Sequence, residues 1–100
     1  MRLDIGTTII STAGTEVRLS TDGGISATDR ILSAMFSPRE GNTGKVYVGI
    51  ADVTSSHGKE MGMGFSINPG ALGGTVPAGD IYFDAANSND RVDWVIFIED

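Results

Sequence analysis

Apolar and polar residues alternate along most of this chain, with the period of two that is typical of a β-strand with one buried face. The clearest case follows the turn at residues 41–44, where Val46, Val48 and Ile50 lie at every second position. The positions between them hold Lys45, Tyr47 and Gly49. The pattern predicts strands at residues 3–10, 15–20, 30–37, 46–53, 61–67, 81–85 and 92–99.

Three of these strands carry distinctive faces. The first places Leu3, Ile5, Thr7 and Ile9 on one face. The fifth sets Met61, Met63, Phe65 and Ile67 against Gly62, Gly64 and Ser66, and bare glycines in a strand often mark the close approach of another backbone. The last is apolar on both faces, with Val92, Trp94, Ile96 and Ile98 opposite Val95 and Phe97. Such a strand is expected at the centre of its sheet or under a partner chain.

Glycine-rich breaks separate the strands, because glycine supplies the positive φ that tight turns need. We expect residues 12–14 to form a hairpin between the first two strands, and Gly70-Ala71-Leu72-Gly73-Gly74 to form a loop. Residues 26–36 also fit a short helix capped by Ser26 or Thr28. A strand is preferred there because its neighbours are all β. The chain is therefore predicted to be a single all-β domain over residues 1–100, an antiparallel β-sandwich or small jelly roll of about seven to eight strands.

Composition narrows the possible partners. Thirteen acidic and seven basic residues give a formal net charge of −6, which disfavours binding to nucleic acid or to an anionic membrane surface. No apolar run approaches the ~20 residues of a membrane-spanning helix, and the first residues do not resemble a signal peptide. The chain has no cysteine, so disulfide and thiolate chemistry are excluded.

Candidate chemistry is sparse. Asp52, Ser55 and His57 are residue types of a nucleophilic triad, but one hairpin rarely assembles a triad. Four acidic residues flank the sixth and seventh strands without the spacing of a known calcium loop: Asp80, Asp84, Asp90 and Asp93. The glycines of residues 70–74 lack the strand–loop–helix context of a nucleotide site. We therefore expect no catalytic residue, no cofactor and no metal, and a chain that is not an enzyme.

The order of several motifs resembles a class of short structural proteins of tailed bacteriophages. The residues that carry the resemblance span roughly 28–98: Arg30-Ile31-Leu32, Asn42-Thr43-Gly44, Val46-Tyr47-Val48-Gly49, Asp52-Val53, Gly58, Pro69-Gly70, Asp80-Ile81-Tyr82-Phe83-Asp84-Ala85 and the strand 92–98. The loop after Pro69-Gly70 is longer than that pattern.

The resemblance implies a head-decoration (cement) protein. Such a protein is made in the host bacterial cytoplasm and binds the major capsid protein on the outside of the virion, often as a homotrimer. For capsid docking we expect the first strand, Arg2, Leu3, Asp4 and Ile5 above all. For subunit contacts we expect Met61, Met63, Phe65, Trp94 and Phe97.

Two other non-enzymatic interpretations remain open. One is an adhesive or carbohydrate-binding module of a phage fibre, which would use exposed loop residues such as Tyr47, His57, Asn87 and Asn89. The other is a tail or neck component that assembles as a ring.

Overall fold

The computed structural model describes residues 1–21, 25–50, 53–54, 58–61 and 65–99. Within these ranges the chain forms nine strands and three short 3-10 helices. The strands are β1 Arg2–Ile10, β2 Val17–Arg18, β3 Arg30–Pro38, β4 Val46–Gly49, β5 Lys59–Glu60, β6 Phe65–Ile67, β7 Val76–Pro77, β8 Tyr82–Ala85 and β9 Asp90–Glu99. The 3-10 helices are Leu19–Thr21, Pro69–Leu72 and Ala78–Asp80.

The strands form two antiparallel sheets, which confirms the predicted all-β sandwich. The larger sheet has the order β1-β9-β3-β6, with β7 also paired to β3. The smaller sheet has the order β2-β8-β4-β5. Strand β9 lies between β1 and β3, so the strand that is apolar on both faces is central in its sheet, as its pattern predicts.

The core lies between the two sheets. The larger sheet contributes alternate residues of its long strands, Ile31, Ala34, Phe36, Val92, Trp94, Ile96 and Ile98. The smaller sheet contributes Val46, Val48, Phe83 and Ala85. The rings of Phe36 and Phe83 meet edge to face across the two layers, with their centres 5.4 Å apart, a favourable arrangement for aromatic pairs.

The segment with two possible structures is a strand. Residues 30–38 pair with β9 along almost their whole length, so the helical alternative for residues 26–36 is wrong. The register between β3 and β9 shifts between Ile31 and Ser33, which makes Leu32 a bulge position. Extended geometry wins here because it buries Ile31, Ala34 and Phe36 against the second sheet.

Two predicted strands have different bounds. The predicted strand 46–53 ends at Gly49, and beyond it the Val53 N–H donates to the Ile50 carbonyl at 3.1 Å. The predicted strand 61–67 is divided between the sheets. Met61 donates its N–H to the Val46 carbonyl of the smaller sheet, whereas β6 belongs to the larger one. Residues 62–64, where the close backbone approach is predicted, lie outside the described residues.

The connections also differ in part from expectation. A turn is present at residues 12–15, where the Thr15 N–H donates to the Thr12 carbonyl. It is not a hairpin, because β1 and β2 lie in different sheets. The loop after Pro69 contains a 3-10 helix, closed by Gly73 in the left-handed conformation at φ 81°. Within the described ranges, no helix has the length and apolar character needed to cross a membrane.

Candidate docking surface

The face of the larger sheet that points away from the core is unusually apolar. We call this surface the outer face and define it by Leu3 and Ile5 of β1, Val95 and Phe97 of β9, and Met35 of β3. Leu3, Ile5 and Met35 are 50%, 71% and 49% exposed, and Val95 and Phe97 are half-buried. The alternation that buries Trp94 and Ile96 places their neighbours on this side.

The strand register arranges these side chains in rows. Ile5 is opposite Val95, and Val95 is opposite Met35, so three apolar residues cross the sheet side by side. In the next row, Leu3 is opposite Phe97 and Phe97 is opposite Ser33. Directly opposed side chains in adjacent strands lie close enough to touch. The outer face is thus a contiguous apolar surface, of the kind that marks an interaction site.

Two shallow depressions lie on the outer face. One, of about 330 Å³, is bordered by Ile5, Met35 and Val95 on its apolar side and by Arg39 and Asp93 on its polar side. The other, of about 190 Å³, lies between Met35, Phe97 and Asn68. Because these depressions make the outer face uneven, it is suited to a partner whose side chains fit into them.

A hydrogen-bonded polar cluster closes one end of the outer face. The Thr7 hydroxyl donates to Asp93 Oδ1 at 2.7 Å. Arg39 donates to the same carboxylate oxygen at 3.0 Å and to the Thr7 hydroxyl at 3.1 Å. The cluster holds one positive and one negative charge, so this polar rim is locally neutral.

The other residues predicted for docking face the opposite way. Arg2 and Asp4 alternate with Leu3 and Ile5, and Arg2 forms ion pairs with Asp4 at 3.2 Å and with Asp29 at 2.9 Å. Desolvation lowers the pKa of Arg2, but the hydrogen bonds and negative charges of Asp29 and Asp4 outweigh it and raise that pKa. These charges hold β1 to the turn at residues 26–29. Of the four predicted docking residues, the outer face therefore contains Leu3 and Ile5.

The residues predicted for subunit contacts are dispersed. Met61 and Trp94 are buried in the core of the single chain, which leaves no side-chain surface of theirs for a second subunit. Phe65 is half-buried and packs against that core. Phe97 lies on the outer face. Met63 lies outside the described residues.

The described residues of the fibre interpretation differ in their exposure. Tyr47 is 8% exposed, so the prediction that it lies on the surface is wrong. Asn87 is exposed and donates its amide to the Thr43 hydroxyl at 3.2 Å, while Asn89 takes a left-handed turn conformation at φ 70°. His57 lies outside the described residues. Tyr82 is half-buried, and Arg18 lies 5.1 Å above its ring centre and bonds its hydroxyl.

The acidic residues near β8 and β9 serve separate structural contacts. Asp84 accepts the N–H groups of Gly14 and Ala85. Asp90 is buried and accepts the N–H groups of Thr43 and Gly44 at 2.9 Å each. Asp93 belongs to the polar cluster, and Asp80 is exposed. In the described part of the chain, no three His, Cys, Asp or Glu side chains are grouped to hold a metal ion.

The three residues considered for a nucleophilic triad, Asp52, Ser55 and His57, lie outside the described residues.

Sequence reasoning missed two residues of the outer face, Met35 and Val95. Their signal was the alternation of β3 and β9, in which each residue next to a buried aromatic points outward. The sequence pattern shows that β9 is apolar on both faces, but it does not show that the outward residues of β9 lie beside those of β1. That connection depends on strand order, which periodicity does not give.

Comparison of the sequence with protein-family models and with curated proteins found no match.

Proposed function

We propose that this chain is a non-enzymatic structural protein of a tailed-phage virion, and that it decorates and stabilises the outside of the capsid. The observation that carries the proposal is the outer face, an exposed apolar sheet surface with a neutral polar rim. Such a surface matches the interior of a protein–protein interface, where apolar side chains are buried and charges are confined to the edge. The motif order of residues 28–98 directs the proposal to a phage capsid.

Docking would stabilise the capsid through mass action. A protein that binds the assembled shell, and not its separated subunits, lowers the free energy of the shell alone. On the outer face, Leu3, Ile5 and Phe97 would make the apolar contacts with the major capsid protein. The expected homotrimer remains a prediction of the resemblance.

The test is binding to empty heads assembled from the major capsid protein encoded in the same genome. Met35→Glu places a carboxylate on the outer face beside Val95, where burial without a partner is costly. We expect co-sedimentation with heads to weaken at least about tenfold, equivalent to about 1.4 kcal/mol. Ile50→Glu is the matched control, since Ile50 is exposed and follows a strand of the smaller sheet.

The two variants separate the possible outcomes. Binding by the unaltered chain and by Ile50→Glu, with loss in Met35→Glu, supports docking through the outer face. Equal binding by all three proteins would show that another surface docks. Absence of binding by the unaltered chain would overturn the capsid role.

A further inference from the structure

We propose that the edge of β1 pairs with β1 of a second copy of this chain, antiparallel and centred on Ile5. This contact uses the backbone edge of the sheet together with the side chains of Leu3 and Ile5, which also belong to the outer face, and it does not depend on the capsid role. It would join the larger sheets of two copies into one continuous sheet.

The first argument is that β1 is an unprotected edge. It is a nine-residue strand that pairs with β9 without a register shift, and among the described residues no strand pairs with its other edge. Natural sheets protect their edges with short strands, prolines, bulges or charged residues, because open edges pair with other chains. Residues 3–7 contain no proline, and their outward side chains are Leu3, Ile5 and Thr7. The one charged residue among them, Asp4, is on the opposite face and is paired with Arg2.

The other edges of the molecule carry these protective features. Strand β2 has two residues and β6 has three. Strand β5 consists of the charged pair Lys59–Glu60, and β7 contains Pro77. Of the described edge strands, β1 is therefore the one that we expect to pair with another chain.

The second argument is that β1 is complementary to itself in one register. Centring the pair on Asp4 would set two carboxylates opposite each other, which is destabilising. Centring it on Ile5 sets Ile5 against its copy, Leu3 against Thr7, and Asp4 against Gly6. No like charges meet, and the most exposed apolar side chain of the strand, at 71%, gains an apolar neighbour.

The size of the contact sets its strength. Pairing five residues on each side covers far less than the roughly 800 Å² per partner of a stable interface. The dimer is therefore weak and concentration-dependent. Because the contact has twofold symmetry, it closes with two copies, unlike the homotrimer that the resemblance implies.

Cysteine cross-linking tests this inference directly, because the natural chain has no cysteine. In the Ile5-centred register, Ile5→Cys faces its own copy at a distance that a disulfide can bridge. Under mild oxidation we expect disulfide dimers to form at least about tenfold faster than with Leu72→Cys, because pairing raises the effective thiol concentration. Leu72 is 91% exposed and belongs to a loop far from β1 in the strand order, so it reports random collisions.

A second cross-link fixes the register. Leu3→Cys is expected to form few dimers with itself, since its copy would be four residues away, about 13 Å along the strand. Leu3→Cys mixed with Thr7→Cys should form mixed dimers readily. Equal rates for Ile5→Cys and Leu72→Cys would overturn the proposal, and so would Leu3→Cys pairing with itself faster than with Thr7→Cys.

The capsid test and the cross-linking test fail independently. Loss of head binding in Met35→Glu without cross-linking of Ile5→Cys would refute the edge contact alone. Cross-linking without any head binding would refute the capsid role alone. A circular dichroism spectrum with the same β content as the unaltered chain would confirm that each variant is folded.

Discussion

At the scale of single residues, Gly6 shows how one missing side chain determines local packing. A Cβ atom at this position would lie 2.5 Å from Cζ2 of Trp94, well inside van der Waals contact. The glycine thus provides the space in which the indole ring packs. The ring is further fixed by its Nε1–H, which donates to the Thr8 hydroxyl at 3.0 Å in the buried region.

Substituting Gly6 should therefore destabilise the fold. We expect Gly6→Ala to lower the free energy of unfolding by about 1–3 kcal/mol, because the extra methyl group overpacks a rigid ring. Urea unfolding followed by circular dichroism measures the change. Gly74→Ala is the matched control, since no atom lies within 4 Å of its added Cβ, and its effect should stay within about 0.5 kcal/mol. Equal stability of the two variants would contradict the packing role of Gly6.

The same residues show what the sequence could not reveal at this scale. The alternation around Trp94 correctly predicts which way its side chain points, together with Ile96. It does not reveal that Gly6, which precedes Trp94 by 88 positions in the sequence, lies opposite Trp94 in the sheet.

 The pairing of Gly6 with Trp94 follows from the register between β1 and β9, and period-2 patterns carry no information about partners. For this reason the sequence predicts Trp94 in a subunit contact, whereas the structure buries it in the core of the single chain.

At the scale of elements, a set of hydrogen bonds joins the β3–β4 connection to the start of β9. We call this set the clasp and define it by Asn42, Thr43, Gly44, Asp90 and Arg91. The Asn42 side-chain amide donates to the Arg91 carbonyl and accepts the Arg91 N–H, both at 2.8 Å. Asp90 accepts the N–H groups of Thr43 and Gly44. The Asn-Thr-Gly turn, prominent in the sequence, therefore has a structural role.

Removing the carboxylate should weaken the clasp. Asp90→Ala leaves two backbone N–H groups without their acceptor, at a cost of about 1–3 kcal/mol each where water is excluded. We expect the free energy of unfolding to fall by about 2–4 kcal/mol in all, measured by urea titration. Asp90→Asn keeps one acceptor oxygen and should lose less.

Asp80→Ala is the control, because Asp80 is an exposed aspartate that does not belong to the clasp. A loss in Asp90→Ala no larger than that in Asp80→Ala would show that the clasp contributes nothing to stability.

Elements with several alternating residues were predictable, and shorter ones were not. Strands β1, β3 and β9 have nine or ten residues each, enough for the period to be evident. Strands β5 and β7 have two residues each, which is too few to display an alternation of apolar and polar positions. The division of residues 61–67 between the sheets was also hidden, because both sheets bury apolar residues at alternate positions.

At the scale of the whole molecule, the two sheets differ in what they expose. The larger sheet has the outer face, its polar cluster and the open edge of β1. The smaller sheet has short strands and ends in the charged pair of β5. The alternation of apolar residues predicted a single β-domain, but the concentration of candidate binding surfaces on one sheet depends on strand order. The sequence accordingly predicts part of the candidate site, with Leu3 and Ile5 in docking, whereas it places Phe97 in a subunit contact.

The net charge of the molecule should govern how readily two copies associate. Each copy carries a formal charge of −6, so two copies repel at low salt. Raising the ionic strength from about 0.01 M to 0.15 M shortens the screening length from about 30 Å to 8 Å. We expect the dimer fraction of the unaltered chain to rise over this range, measured by sedimentation equilibrium. A dimer fraction that falls with salt would indicate that attraction between charges drives the association.

The central position of β9 has a consequence for the order in which the molecule can form. Strands β1 and β3 do not touch each other in the larger sheet, because β9 lies between them and is made after both. Until β9 leaves the ribosome, β1 lacks its partner strand, and β3 has only the short strands β6 and β7 beside it. Sheet formation thus requires contacts between segments far apart in sequence, which is typical of slow-folding proteins. The larger sheet, and with it the sandwich, can therefore be completed only after β9 has been synthesised.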